Sequence, residues 1–250
     1  WIIGDLEISR LMKIKKLEIP VLYEDDDLLV INKPAGIVVN RSETAGTTVQ
    51  DWAVDKLGIG EATGELMQAR GGLAHRLDKE TSGCLLIAKN EECLKELMRQ
   101  FKARETKKSY IALVHGWLEP SEGVIRLPIA RDGLSREKRK VNYEGKQAET
   151  RWQVIKLLTK EGGRYSLARL WPKTGRTHQI RVHMKHLKHP LFADLMYLGK
   201  KAKVDREILS RHFLHAEIIE FNHPRSGERM VIKAELPADL EKVLVDFDMV

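Results

Sequence analysis

Apolar residues along this chain fall into short blocks separated by turn-forming clusters, with helical spacing in only a few places. Val21 to Asn32 reads as two extended pieces around the acidic turn Glu24-Asp25-Asp26-Asp27, and Lys33-Pro34-Ala35-Gly36 stops the second, so a hairpin is predicted. The acidic turn lacks the spaced ligands of a calcium loop. Thr47 or Thr48 caps a short helix whose apolar face includes Val49, Trp52, Ala53 and Leu57, ending at Gly58. Leu85 to Ala88 suits a buried strand. Asn90 then caps a helix carrying Leu94, Leu97, Met98 and Phe101 on one face. Tyr110 to Trp117 and Tyr165 to Leu170 read as further strands, the second stopped by Pro172-Lys173-Thr174-Gly175. After that turn, Thr177 is the expected cap of a helix with Ile180, Met184 and Leu187 facing inward. On the same helix Arg181, Lys185 and Lys188 share a basic face, which for the two lysines reads as solvated surface.

No repeat and no Gly/Ser or Pro-rich linker divides these elements. The pattern therefore predicts one mixed α+β catalytic domain over residues 17–250, preceded by an uncertain N-terminal remnant at residues 1–16. The chain opens at Trp1 without an initiator Met, which leaves open whether something N-terminal precedes it.

Composition excludes several classes. With 42% hydrophobic and 32% charged residues, the 250-residue chain is that of an ordinary globular protein. It has no apolar run long enough to span a bilayer and no signal-peptide pattern, so a cytoplasmic location without membrane attachment is the default expectation. Cys84 and Cys93 read as buried or partly buried thiols rather than a disulfide framework. Gly58 to Gly64 has the wrong spacing and context for a dinucleotide loop, and no Walker pattern occurs, so no cofactor is expected. The formal charge of +7 favours a polyanionic partner. Two tracts concentrate it: Arg131, Arg136, Lys138, Arg139, Lys140, Lys146 and Arg151, then Lys200, Lys201, Lys203, Arg206 and Arg211. Together they are expected to flank one groove.

The densest functional cluster is His75-Arg76-Leu77-Asp78-Lys79-Glu80-Thr81-Ser82-Gly83, a polar loop directly before the strand at Leu85. His75-Arg76-Leu77-Asp78 followed by Thr81-Ser82-Gly83 resembles the signature loop of the RluA-type RNA pseudouridine synthases. Other segments resemble that family in the same order: Asn32 to Gly36, Lys107 to Gly116, Thr174 to His183, and Leu214-His215-Ala216 with His223-Pro224. The resemblance runs from about Leu22 to about Leu236. One departure is Asn40-Arg41, where many members carry a histidine.

The resemblance implies a mixed, mainly antiparallel central β-sheet flanked by helices and loops. It implies isomerisation of uridine in ribosomal or transfer RNA on a flipped-out base, by a monomer with no metal or other cofactor. Asp78 would be the essential aspartate, Tyr110 the tyrosine lying against the target base, and Arg181 the arginine paired with Asp78 within about 4 Å. Arg76 would insert where the flipped base was, Leu214 would line the pocket, and His75 and Arg176 would join the RNA-binding set. Members often carry an N-terminal S4-type RNA-binding domain, whose presence here is open. A carboxylate held in a partly dry pocket beside a polyanion needs a nearby guanidinium to stay ionised, which suits this residue set.

Two other classes stay open on the residues alone. One is a non-catalytic RNA-binding module, for which the basic tracts matter and Asp78 does not. The other is a metal-dependent hydrolase using His183, His186 and His189, although residues six apart lie far round a helix and no Cys or acidic ligand flanks them.

Overall fold

In the computed structural model, which describes residues 17–42, 46–133 and 135–250, the chain is α+β with mostly antiparallel strand pairing. The expected remnant at residues 1–16 lies outside the described residues. Two compact units emerge, one of residues 1–106 and 220–234, the other of 107–219 and 235–250.

The first unit begins with the predicted hairpin, β1 (Val21–Glu24) and β2 (Leu28–Lys33). Asp25 makes the turn: its Oδ1 accepts the backbone N–H groups of Asp27 and Leu28 at 2.9 and 2.8 Å. The acidic cluster is thus turn chemistry. β2 pairs along its length with β3 (Ser82–Ala88), every residue of which is buried. Helix Val49–Leu57 carries the predicted caps, with Thr48 accepting from the Asp51 N–H and Gly58 at φ +61° ending it. Asn90 caps helix Glu91–Ala103 through the Cys93 N–H. Both cysteines are buried thiols outside any disulfide among the described residues.

The second unit is built on antiparallel strand pairs that are mostly not consecutive in sequence. β4 (Lys107–His115) pairs with β9 (Gly163–Pro172), and β9 pairs with β8 (Glu149–Lys160). β5 (Glu122–Arg126) pairs with β8, while β6 (Ile129–Asp132) and β7 (Ser135–Val141) form a separate hairpin. β4 was expected at Tyr110–Trp117. It starts earlier, and Gly116 at φ +82° follows its end. Its core gathers Ile111, Leu113, Leu167, Phe192, Phe213, Leu240 and Phe247. β10 (Leu214–Asn222) runs across the boundary between the units. β11 (Arg229–Lys233) lies in the first unit and the short β12 (Asp248–Met249) on β8 in the second.

One cap differs from expectation. The helix following the Thr174 turn spans Gln179–His186, and its N-cap position is His178, not Thr177; His178 has φ +57° and makes no side-chain cap bond. Gln179 organises the entry instead. Its Oε1 accepts from the Thr174 hydroxyl at 2.6 Å and the Arg176 N–H at 3.1 Å, while its Nε2 donates to Thr150. Lys188, expected on the same basic face, lies beyond the helix end. Among the described residues, no helix is long and apolar enough to cross a membrane.

Candidate active site

The loop bearing Asp78 is pinned at both ends. Upstream, the Gly72 carbonyl accepts the Ala88 N–H at 2.8 Å, and a Cβ at Gly72 would lie 2.3 Å from the Ala88 oxygen. Only glycine permits that approach, and its φ of +75° adds to the requirement. His75 then ties the loop to β3: its Nε2 accepts the Leu86 N–H at 3.0 Å, and its ring stacks on Phe101 at 4.6 Å. The imidazole therefore presents an unprotonated Nε2 to the backbone.

Downstream the loop is held by Lys33. This residue is wholly buried, and its ammonium donates to the carbonyls of Pro34, Ile37 and Lys79 at 2.7, 3.0 and 3.2 Å. The Lys79 carbonyl also accepts the Gly36 N–H at 2.8 Å. Charge-assisted bonds from one buried cation thus fasten the Asn32–Gly36 segment to the residue after Asp78. Between the anchors, Leu77 is buried, Asp78 is half-buried and Arg76 is exposed. The Asp78 carbonyl closes a turn with the Thr81 N–H at 3.1 Å.

The second unit places the other predicted residues. Tyr110 is buried on β4 opposite Leu170, and Leu214 is buried at the start of β10. Arg176 is half-buried, donating to the Gln147 carbonyl at 3.1 Å. Arg181 is buried and fixed in direction: Nε and Nη2 donate to the two Asp194 oxygens at 2.7 and 2.9 Å, and its guanidinium lies 4.9 Å from the Tyr197 ring centre. Burial pushes the Asp194 carboxyl upward, but the Arg181 guanidinium and the Tyr197 N–H outweigh it and hold the group below its usual range. Asp194 was missed in the sequence. Its signal was local, since its Oδ1 also accepts the N–H groups of Met196 and Tyr197 in the turn-forming manner of Asp.

The histidine run is structural at its first member. His183 Nε2 meets the Leu127 carbonyl at 3.1 Å and Nδ1 meets the Thr150 hydroxyl at 2.9 Å, which occupies both ring nitrogens. Burial lowers its pKa, keeping it neutral.

Comparison with known proteins follows this geometry. The RNA pseudouridylate synthase family model matches residues 27–186. The chain belongs to the RluA-type RNA pseudouridine synthases. It is 39% identical over 222 residues to the dual-specificity RNA pseudouridine synthase RluA of Escherichia coli K12, covering 88% of this chain and 93% of that one. It is 36% identical over 239 residues to the ribosomal large subunit pseudouridine synthase C of Vibrio parahaemolyticus, covering 95% and 72%. Among solved structures, human RNA pseudouridylate synthase domain containing 1 superposes with a TM-score of 0.73 at 27% identity, covering 93% of this chain and 89% of that one. Membership makes the chain an isomerase that converts uridine to pseudouridine.

In this pseudouridine synthase burial weakens the basicity of one lysine. Lys108 stands two residues before Tyr110 on β4, on the same strand face, and burial of its ammonium pulls its pKa to about 8. A folded pKa below the ordinary lysine value near 10.5 means that the folded chain holds fewer protons than the unfolded one between those values. Stability from this group therefore rises with pH across that window. Lys108→Met should be more stable than wild type at pH 7 in urea melts, by a margin that shrinks as pH approaches 10.5. A constant margin would show that the ammonium carries no burial cost.

Proposed function

We propose that this chain isomerises specific uridines of ribosomal or transfer RNA, with the Asp78 carboxylate as nucleophile on a flipped-out base and residues 17–250 acting as one catalytic domain. The carrying observation is the half-buried Asp78 on a loop anchored on one side to β3 through Gly72 and His75 and on the other to Lys33. A nucleophile gains from such fixed placement, because little reorganisation is left at the moment of reaction. The reaction breaks the bond from ribose C1′ to uracil N1, turns the base and joins C1′ to C5. The C5 proton is lost and N1 gains one, with no net redox change. Neither metal nor nucleotide is required.

In this reading Arg181 pairs with Asp78 and keeps it ionised, Tyr110 lies against the base, and Leu214 lines its pocket. Arg76, exposed on the same loop, is free to insert into the vacated stack. His75 and Arg176 complete the RNA-binding set, His75 from its anchored position. Relatives named for the large ribosomal subunit and for dual specificity favour an RNA with more than one class of target. The test is to map pseudouridines in ribosomal and transfer RNA from cells with and without this chain. One or a few sites should disappear without it and return on complementation, and purified chain should restore them in the presence of EDTA. An unchanged map would sink the proposal.

A further inference from the structure

The two basic tracts differ in what their cations do. In the second, Arg206 is committed to the Ala193 carbonyl and Arg211 to Asp239. In the first, Arg131, Arg139 and Lys146 line a cavity of about 450 Å³ together with Arg176, where Arg139 donates to the Lys138 carbonyl at 2.9 Å and Arg176 to the Gln147 carbonyl at 3.1 Å. Glu144 is the one carboxylate among the lining residues, so four cations face one anion.

Arg131 and Arg139 are direct cross-strand partners in the β6–β7 hairpin. Like charges opposite one another destabilise a hairpin, an arrangement that an anion between them would offset. The Arg131 side chain makes no hydrogen bond or ion pair among the described residues. The wall is preformed: Ile129 and Lys146 exchange two backbone hydrogen bonds of 2.9 Å, and a Cβ at Gly145 would lie 2.5 Å from the Ile129 carbonyl carbon. In the same turn Tyr143 is 84% exposed. The turn beneath it is fixed by the Gly145 and Glu144 N–H groups, both donating to Asn142 at 2.9 Å. An exposed aromatic ring beside a cationic cavity suits a nucleotide in a chain, whose base stacks while its phosphate is neutralised.

We propose that this cavity binds a backbone phosphate of the RNA, with Tyr143 stacking the adjoining base, as a contact additional to those made with the isomerised uridine. The inference rests on the reading that the chain acts on RNA. Binding is followed by fluorescence anisotropy with a fluorescein-labelled RNA of about 20 nucleotides over about 50 to 300 mM KCl. R131Q/R139Q should bind about tenfold more weakly at about 100 mM KCl, and the slope of log affinity against log salt should fall by about 0.7, the value for one phosphate contact on a single strand. Its melting temperature should not fall, since the repulsion is gone. Tyr143→Ala should lose about five- to tenfold in affinity with the slope unchanged, and Tyr143→Phe should bind as wild type. Unaltered affinity and slope in R131Q/R139Q would overturn the proposal. So would displacement of RNA by low-millimolar inorganic phosphate or uridine 5′-monophosphate while R131Q/R139Q keeps full RNA affinity, because the cavity would then serve a free anion. Anisotropy reads no turnover, so a chain that bound RNA in this way yet formed no pseudouridine would defeat the proposed function and leave this site standing.

Discussion

Asp78→Asn is expected to abolish pseudouridine formation, with a loss of about 10⁴-fold or more, while RNA affinity changes by no more than about twofold. The substitution keeps the side-chain volume and removes the charge. An amide cannot supply the electron pair that a carboxylate donates in covalent catalysis, so turnover should fail even though the loop keeps its shape. The Gly72, His75 and Lys33 anchors hold that shape through groups other than the carboxylate. Affinity should persist because phosphate contacts supply most of the binding energy of a basic protein for RNA. Tritium release from RNA labelled at uridine C5 reads turnover, and filter binding reads affinity. Substantial release by the variant would remove Asp78 as the nucleophile. Loss of both properties would point instead to a damaged loop.

What the sequence made legible was whatever rests on local pattern. The hairpin around Asp25, the helices capped by Thr48 and Asn90 and the strand ending at Ala88 each combine a stop signal with an apolar run, and each is present. The β6–β7 hairpin was not predicted. Its second strand, Ser135–Val141, is nearly all polar and charged, so no alternation marks it. Helix Gln179–His186 begins after a left-handed His178, and its entry is fixed by a glutamine bonded to Thr174 in the preceding turn and to Thr150, 29 residues earlier, which no capping rule anticipates. The same limit governed the site. Asp78, Tyr110 and Arg181 stand in motifs that resemble a family, but Lys33 had no visible task because its three acceptors are backbone carbonyls, one of them 46 residues away. Asp194 was equally hidden. A carboxylate that holds a buried guanidinium looks in sequence like any turn aspartate.

Asp194→Asn should therefore lower both stability and turnover, by separable routes. Asp194 and Arg181 are buried with side-chain exposures of 1% and 7%, and their contact is bidentate. Removing one partner strands a buried guanidinium, which typically costs about 3–5 kcal/mol. The N–H groups of Met196 and Tyr197 should keep an acceptor, since an asparagine oxygen can replace the one they use. The loss is thus confined largely to the guanidinium. Below its lowered melting temperature the variant should remain folded, yet Arg181 would no longer be held by a carboxylate at both Nε and Nη2. If Arg181 keeps Asp78 ionised and aligned, turnover per folded molecule should fall at least about tenfold with little change in KM, because the lost interaction is one of alignment rather than binding. Arg181→Lys makes the companion case: it preserves the charge but not the planar fork, and should show the same split. If either variant turns over normally once corrected for its folded fraction, the Arg181–Asp194 pair is scaffold alone and the direction of the guanidinium has no part in the chemistry.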